Sequence, residues 1–153
     1  MRDRSEARNR KKRVKKRGGS PAQLSVGECR RLLRAARAVL HRAYAPFSGF
    51  HVGAAVLTAK GTIFSGCNVE NSSYGLTNCA ERTAIHSAVA TEGAGMRIRA
   101  IAVANRRNLP CSPCGACRQV IFEFGPESVV LFKAAAGWTQ RRISELLPYG
   151  FRL

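Results

Sequence analysis

No apolar run in this chain approaches the roughly 20 residues a membrane-spanning helix requires, which argues against a helical membrane protein. Nothing like the hydrophobic region of a signal peptide precedes the body of the chain, so a reducing, cytoplasmic location is expected. Cysteine is too scarce for a disulfide scaffold: there are six in 153 residues, and three of them fall within 111–117. In a reducing interior, clustered cysteines point instead to metal binding or catalysis. Acidic residues are also few. Nine Asp and Glu stand against 26 Lys and Arg, giving a net charge of +17. No internal repeat is visible, which sets aside solenoid architectures. The remaining chain is long enough for one domain with a real apolar core.

The charge excess is uneven. Residues 1–20 hold ten Lys and Arg against Asp3 and Glu6, a net +8, and the other 133 residues carry +9. Val14 is the one aliphatic residue larger than Ala after Met1, and a Gly-Gly-Ser-Pro linker follows. Such a stretch buries too little apolar surface to offset its ordering entropy. It reads as a disordered basic tail over residues 1–23, ahead of a domain over 24–153. No aromatic residue lies among its cations, so it offers no stacking platform. Non-specific, salt-dependent contact with nucleic acid is the partner such a tail suggests.

Ser25-x-x-Glu28 forms a capping box, with Leu24 placed as a hydrophobic staple. Val26, Cys29, Leu32, Leu33, Ala36, Val39, Leu40 and Ala43 then trace an apolar helical stripe, ended by Pro46. HVGAAVLTAKGTIFSGCNV reads as two strands joined at Lys60-Gly61, and IRAIAVAN as a buried strand. CAERTAIHSAVA has a helix's composition, stopped by Gly93 and Gly95. CGACRQVIFEF begins another helix behind Pro113, SVVLFKA is the last clear strand, and ISELLP a closing helical turn. Strands alternating with helices predict an α/β layered domain.

The stretch CSPCGAC holds cysteines at 111, 114 and 117. Cys114 and Cys117 bracket the first turn of the helix behind Pro113, and Cys79 opens the helix before it. Helix N-termini favour thiolate over thiol, and two cysteines three apart can face one ion. Three protein ligands with one open position is the arrangement of catalytic zinc. Glu81, two residues after Cys79, can reach that position without being a ligand. Alone, a glutamate in a first helical turn would only complement the dipole. Beside these cysteines it becomes a candidate proton carrier.

CAERTAI followed by SPCGACRQVI resembles the small cytidine deaminase family, within the zinc-dependent nucleoside and nucleobase deaminases, whose signature is the Cys-for-His form of H-x-E…P-C-x-x-C. AYAPFSGFHVGAA, GCNVENSSYG and LLPYGF extend the resemblance from about residue 25 to the end. It implies a three-layer α/β/α sandwich around a mixed sheet of about five strands. It makes Cys79, Cys114 and Cys117 ligands of one zinc ion per chain, Glu81 the proton shuttle, and Arg82 and Gln119 neighbours of the thiolates. Three thiolates and one Zn²⁺ leave a net −1, which a guanidinium offsets. Phe50 is implied to pack on the pyrimidine, Asn68 and Glu70 to bind the ribose hydroxyls, and Tyr74 to line the pocket. Phe151 is implied to enter a neighbouring subunit's pocket, in a homotetramer. Cys111 is the non-ligand of its cluster. The implied reaction is hydrolytic deamination of cytidine, and of 2'-deoxycytidine, by zinc-activated water.

Three other readings compete. The same chemistry suits a cytosine in nucleic acid or in a nucleoside antibiotic. CxxCxxC also opens an iron–sulfur run, but Val120 stands where the fourth cysteine would be. Nucleic-acid binding through the tail is the third. His41, His51 and His86 fit no ligand spacing and read as structural.

Overall fold

The computed structural model describes residues 23–153, and the disordered basic tail expected from the sequence lies outside them but for Gln23. Ser25 caps the first helix, α1 (Val26–Val39), as expected. Its hydroxyl accepts from the Glu28 N–H at 3.2 Å, and the Glu28 carboxylate accepts from the Ser25 N–H at 2.9 Å. Of the apolar stripe, Leu32 and Ala36 are fully buried. Val26 is not: it stands 67% exposed, because buried Leu24 already fills the inward position at this end of the helix. A short 3₁₀ turn, Leu40–Arg42, finishes the segment ahead of Pro46.

Five strands follow the order β2-β1-β3-β4-β5 in one sheet. The hairpin of β1 (Val52–Thr58) and β2 (Ile63–Cys67) is antiparallel, with Gly61 at φ +87° in its turn. β3 (Ile98–Asn105) lies antiparallel to β1 and parallel to β4 (Val129–Ala134). β5 (Gly137–Arg142) adds an antiparallel edge. GWTQRR carries no alternating apolar pattern, and pairing with β4 rather than propensity makes it a strand. Between the strands run α2 (Ala80–Glu92), α3 (Gly115–Phe124) and the short α4 (Ile143–Leu146).

All seven residues of β1 are buried, as they must be when helices cover both faces. Ala55, Leu57, Ala100, Ala102 and Leu131 face α1, while Ala54, Val56, Ile101, Val103 and Val130 face α2 and α3. The result is the expected α/β/α sandwich around a mixed five-stranded sheet. Two glycines set its thickness. A Cβ on Gly53 would sit 2.0 Å from the Ala36 carbonyl oxygen, and one on Gly66 would sit 2.3 Å from the Ala84 nitrogen. Both helices rest on backbone where a side chain would push them away.

Candidate metal centre and its surroundings

Cys79 and Cys114 are the N-cap residues of α2 and α3, both with extended backbone. Cys117, fully buried, lies one turn into α3. The two helix starts converge, so the sulfurs of Cys79, Cys114 and Cys117 all lie within 4.8 Å of one another, and Cys79 and Cys114 are 4.0 Å apart. Zinc bound tetrahedrally at ~2.3 Å places its sulfurs about 3.8 Å apart, so this donor set fits the ion with little adjustment. Cys111 stands outside the trio. Its N–H donates to the Lys133 carbonyl at 2.8 Å, tying the approach loop to β4, and its half-buried thiol packs against the core.

The electrostatics favour thiolate at one sulfur first. The Cys79 thiol is lowered to about 5, chiefly by the hydrogen bond from Cys117, and then by Arg82 and Cys114, against the cost of burial. Cys117 moves the opposite way, since it keeps the proton it shares with Cys79 and is buried. The Arg82 guanidinium donates to the Cys79 sulfur at 3.7 Å and to the Thr77 carbonyl at 3.0 Å. Its buried Nε has no partner among the described residues, which leaves a donor available toward added negative charge.

Glu81 sits in the first turn of α2, 5% exposed. Burial pushes its carboxyl up to about 7, and the Cys79 thiolate adds to the shift. A carboxyl poised near neutrality can both accept and return a proton at physiological pH.

The remaining predicted residues make the following contacts. Asn68 braces the loop before β1: its side-chain oxygen accepts from the Val52 N–H at 2.8 Å, and its amide donates to the Phe50 carbonyl at 2.9 Å. Glu70 accepts from the Phe47 and Ser48 N–H groups at 2.8 and 3.3 Å, and from the Ser48 hydroxyl. These bonds hold its carboxyl below the usual range, the Ser48 hydroxyl most of all. Phe50 packs partly buried against the core that carries α2. Tyr74 is 74% exposed and meets Phe47 edge-on, ring centres 5.6 Å apart. Among the described residues Gln119 has no hydrogen bond to a thiol; its amide donates to the Phe151 carbonyl at 2.9 Å and fastens the C-terminal segment to α3. The Phe151 ring is 68% exposed.

Two positioning residues were not anticipated. Ser48 anchors Glu70, as above. Arg118 clasps the cysteine loop, donating to the Pro113 carbonyl at 2.8 Å and the Leu146 carbonyl at 3.1 Å. Its place between Cys117 and Gln119 was the only signal for it in the sequence.

A family model described as the cytidine and deoxycytidylate deaminase zinc-binding region matches residues 27–133. The chain belongs to this family. A cytidine deaminase of Sporosarcina psychrophila is 45% identical over 124 residues, covering 79% of this chain and 89% of that protein. Among solved structures, a cytidine deaminase from Burkholderia pseudomallei superposes with a TM-score of 0.71 at 47% identity, covering 80% of this chain and 98% of that one. One from Mycobacterium tuberculosis gives 0.72 at 39%, covering 81% and 97%. The five-stranded sheet with its two cysteine-capped helices is therefore the family's fold.

Proposed function

We propose that the chain hydrolyses cytidine, and 2'-deoxycytidine with it, to uridine or deoxyuridine and ammonia. The observation that carries this reading is a buried carboxyl, Glu81, raised to about 7 and set one turn from three converging cysteines. Cys79, Cys114 and Cys117 would hold one zinc ion, which supplies a Lewis acid that makes a water molecule acidic enough to ionise near neutral pH. Glu81 takes the proton from the water that attacks ring C4 and delivers it to N3. The carboxylate, free again, then takes the proton of the new C4 hydroxyl and passes it to the amino group, so the C4–N bond breaks as the C4=O bond forms, and cytidine and water become uridine and ammonia. Arg82 offsets the negative charge of the thiolates.

Phe50 would pack on the pyrimidine. Asn68 and Glu70 would read the ribose hydroxyls, since each amide atom of Asn68 keeps one further bonding capacity beyond its loop contacts. Tyr74 would line the entrance. Phe151, exposed and held by its backbone to Gln119, would complete a neighbouring subunit's pocket in a homotetramer. Three ligands that must stay reduced suit a cytoplasmic setting. Residues 24–153 would form the whole catalytic unit.

The test is ammonia release from cytidine and deoxycytidine, with and without a chelator, beside a cytosine-bearing oligonucleotide. Glu81→Gln should keep one zinc per chain by atomic absorption and lose about 10²–10⁴-fold in turnover. A Glu81→Gln enzyme of near-normal turnover would remove the carboxyl from the mechanism. Faster deamination of the oligonucleotide would move the reading to a polymer substrate.

A further inference from the structure

The strongest charged feature outside the cysteine site lies on the opposite side of the sheet. α1 exposes Arg30, Arg31, Arg34 and Arg37 to solvent. Arg30, Arg34 and Arg37 line one groove with Leu33 and Ala38. Arg31 and Arg34 line a second, which reaches Ile63 on β2. Arg37 borders a third with Arg106, Asn108 and Trp138. Because Arg34 and Arg37 each belong to two grooves, the three join into one track across the α1 face.

No carboxylate lines this track. Among the described residues none of its five arginines has an ion-pair partner, whereas Glu28, the one acid on α1, is taken by Arg99. Arg30 and Arg34 are also i, i+4 like charges, an arrangement that costs a helix stability unless something anionic compensates. The Arg37 guanidinium lies 5.4 Å from the centre of the Trp138 ring, and the indole is still 37% exposed. Cations along one track beside a partly exposed indole, one side of which Arg37 covers, are the elements of a single-stranded nucleic-acid site, where phosphates meet arginines and a base stacks. Acidic side chains or lipid phosphates could meet the same arginines, and the pairing of these cations with an indole that can stack a base favours the polynucleotide. The segment at 1–20, with its net +8, enters the chain immediately before α1 and adds charge of the same sign.

We infer that the α1 face binds single-stranded polynucleotide, through its phosphates on Arg30, Arg31, Arg34, Arg37 and Arg106 and a base on Trp138. The site is an anchor and not a route to catalysis, because α1 and the cysteine cluster lie on opposite faces of the sheet. The inference does not depend on the substrate proposed above.

The experiment uses the full zinc-loaded chain and fluorescein-labelled 20-mers of deoxythymidine and uridine, followed by anisotropy across a sodium chloride series. Affinity should fall steeply with salt. Arg30→Gln/Arg34→Gln/Arg106→Gln, which leaves the Arg37–Trp138 pair intact, should weaken binding at least about tenfold and flatten the log–log salt slope by roughly 2, at about 0.7 per phosphate contact. Trp138→Leu should weaken binding severalfold with the slope unchanged. Deamination of free cytidine should be the same in wild type and the triple variant. The inference is overturned if the triple variant keeps wild-type affinity and slope, since residues 1–20 would then carry all the binding. It is equally overturned if poly-glutamate or phosphatidylglycerol vesicles bind the face while the oligonucleotides do not. Equal affinity for duplex DNA, with Trp138→Leu silent, would remove the single-strand assignment.

Discussion

Cys79 and Cys117 share one proton unequally. The hydrogen bond from Cys117 does most to let Cys79 ionise near 5 while Cys117 holds its proton, and the Arg82 guanidinium at the Cys79 sulfur adds to it. In chelated protein, iodoacetamide at pH 7 should therefore alkylate Cys79 well before Cys117, and peptide mass spectrometry would read the order. Lowering the pH through 5 should protonate Cys79 and slow its labelling. Arg82→Gln should slow it at pH 6–7, because the thiol then ionises at higher pH. Cys111 differs in kind. Burial, with Glu81 and Cys79 nearby, pushes its thiol up to about 11, and its sulfur stands outside the trio. Cys111→Ser should leave zinc content and turnover unchanged, whereas Cys114→Ser or Cys117→Ser should lose both. Zinc loss from the Cys111 variant would show that Cys111 is itself a ligand. The convergence of the three cysteines and the burial of Glu81 beside Cys79 were legible because each depends on local spacing at a helix start. The loop-bracing bonds of Asn68 and Glu70 were not, since they depend on where the 45–50 loop folds back against β1.

The metal centre exists because two helices begin at the same place, and what brings them there is the thickness of the sandwich. α2 is held close to β2 by Gly66, with no room for a Cβ between Gly66 and the Ala84 backbone. Gly66→Ala should cost about 1–3 kcal/mol by overpacking and displace the start of α2, so zinc affinity should fall together with the melting temperature. Gly61→Ala is the contrast, for its Cβ meets nothing and only the positive φ of the turn is strained. If Gly66→Ala melts normally and holds zinc, the helix is not set by that contact. The sequence shows GCNV as strand and CAERTAI as helix, but nothing local says that they touch, since Gly66 and Ala84 are 18 positions apart. The edge strand β5 was hidden for a related reason. Trp138, Gln140 and Arg141 alternate poorly, and the strand's place is set by pairing with β4 and by Gln140, whose side chain accepts from the Leu24 N–H at 2.9 Å.

The C-terminal segment presents two aromatic side chains to solvent. Tyr149 is 96% exposed and Phe151 68%. Phe151 is nonetheless held: Gln119 fixes its carbonyl, and Arg152 approaches Glu123 at 4.0 Å, so the ring projects from an anchored backbone. If that ring closes a neighbouring subunit's pocket, light scattering should return four copies per particle. Phe151→Ala should then raise KM for cytidine about two- to tenfold, the value of one aromatic contact, and leave zinc content untouched. Mixing supplies the decisive case. Glu81→Gln chains, which keep Phe151, should restore a normal KM to Phe151→Ala chains when the two are reassembled together. A monomer of full activity, or a Phe151→Ala enzyme of unchanged KM, would show instead that each chain completes its own site.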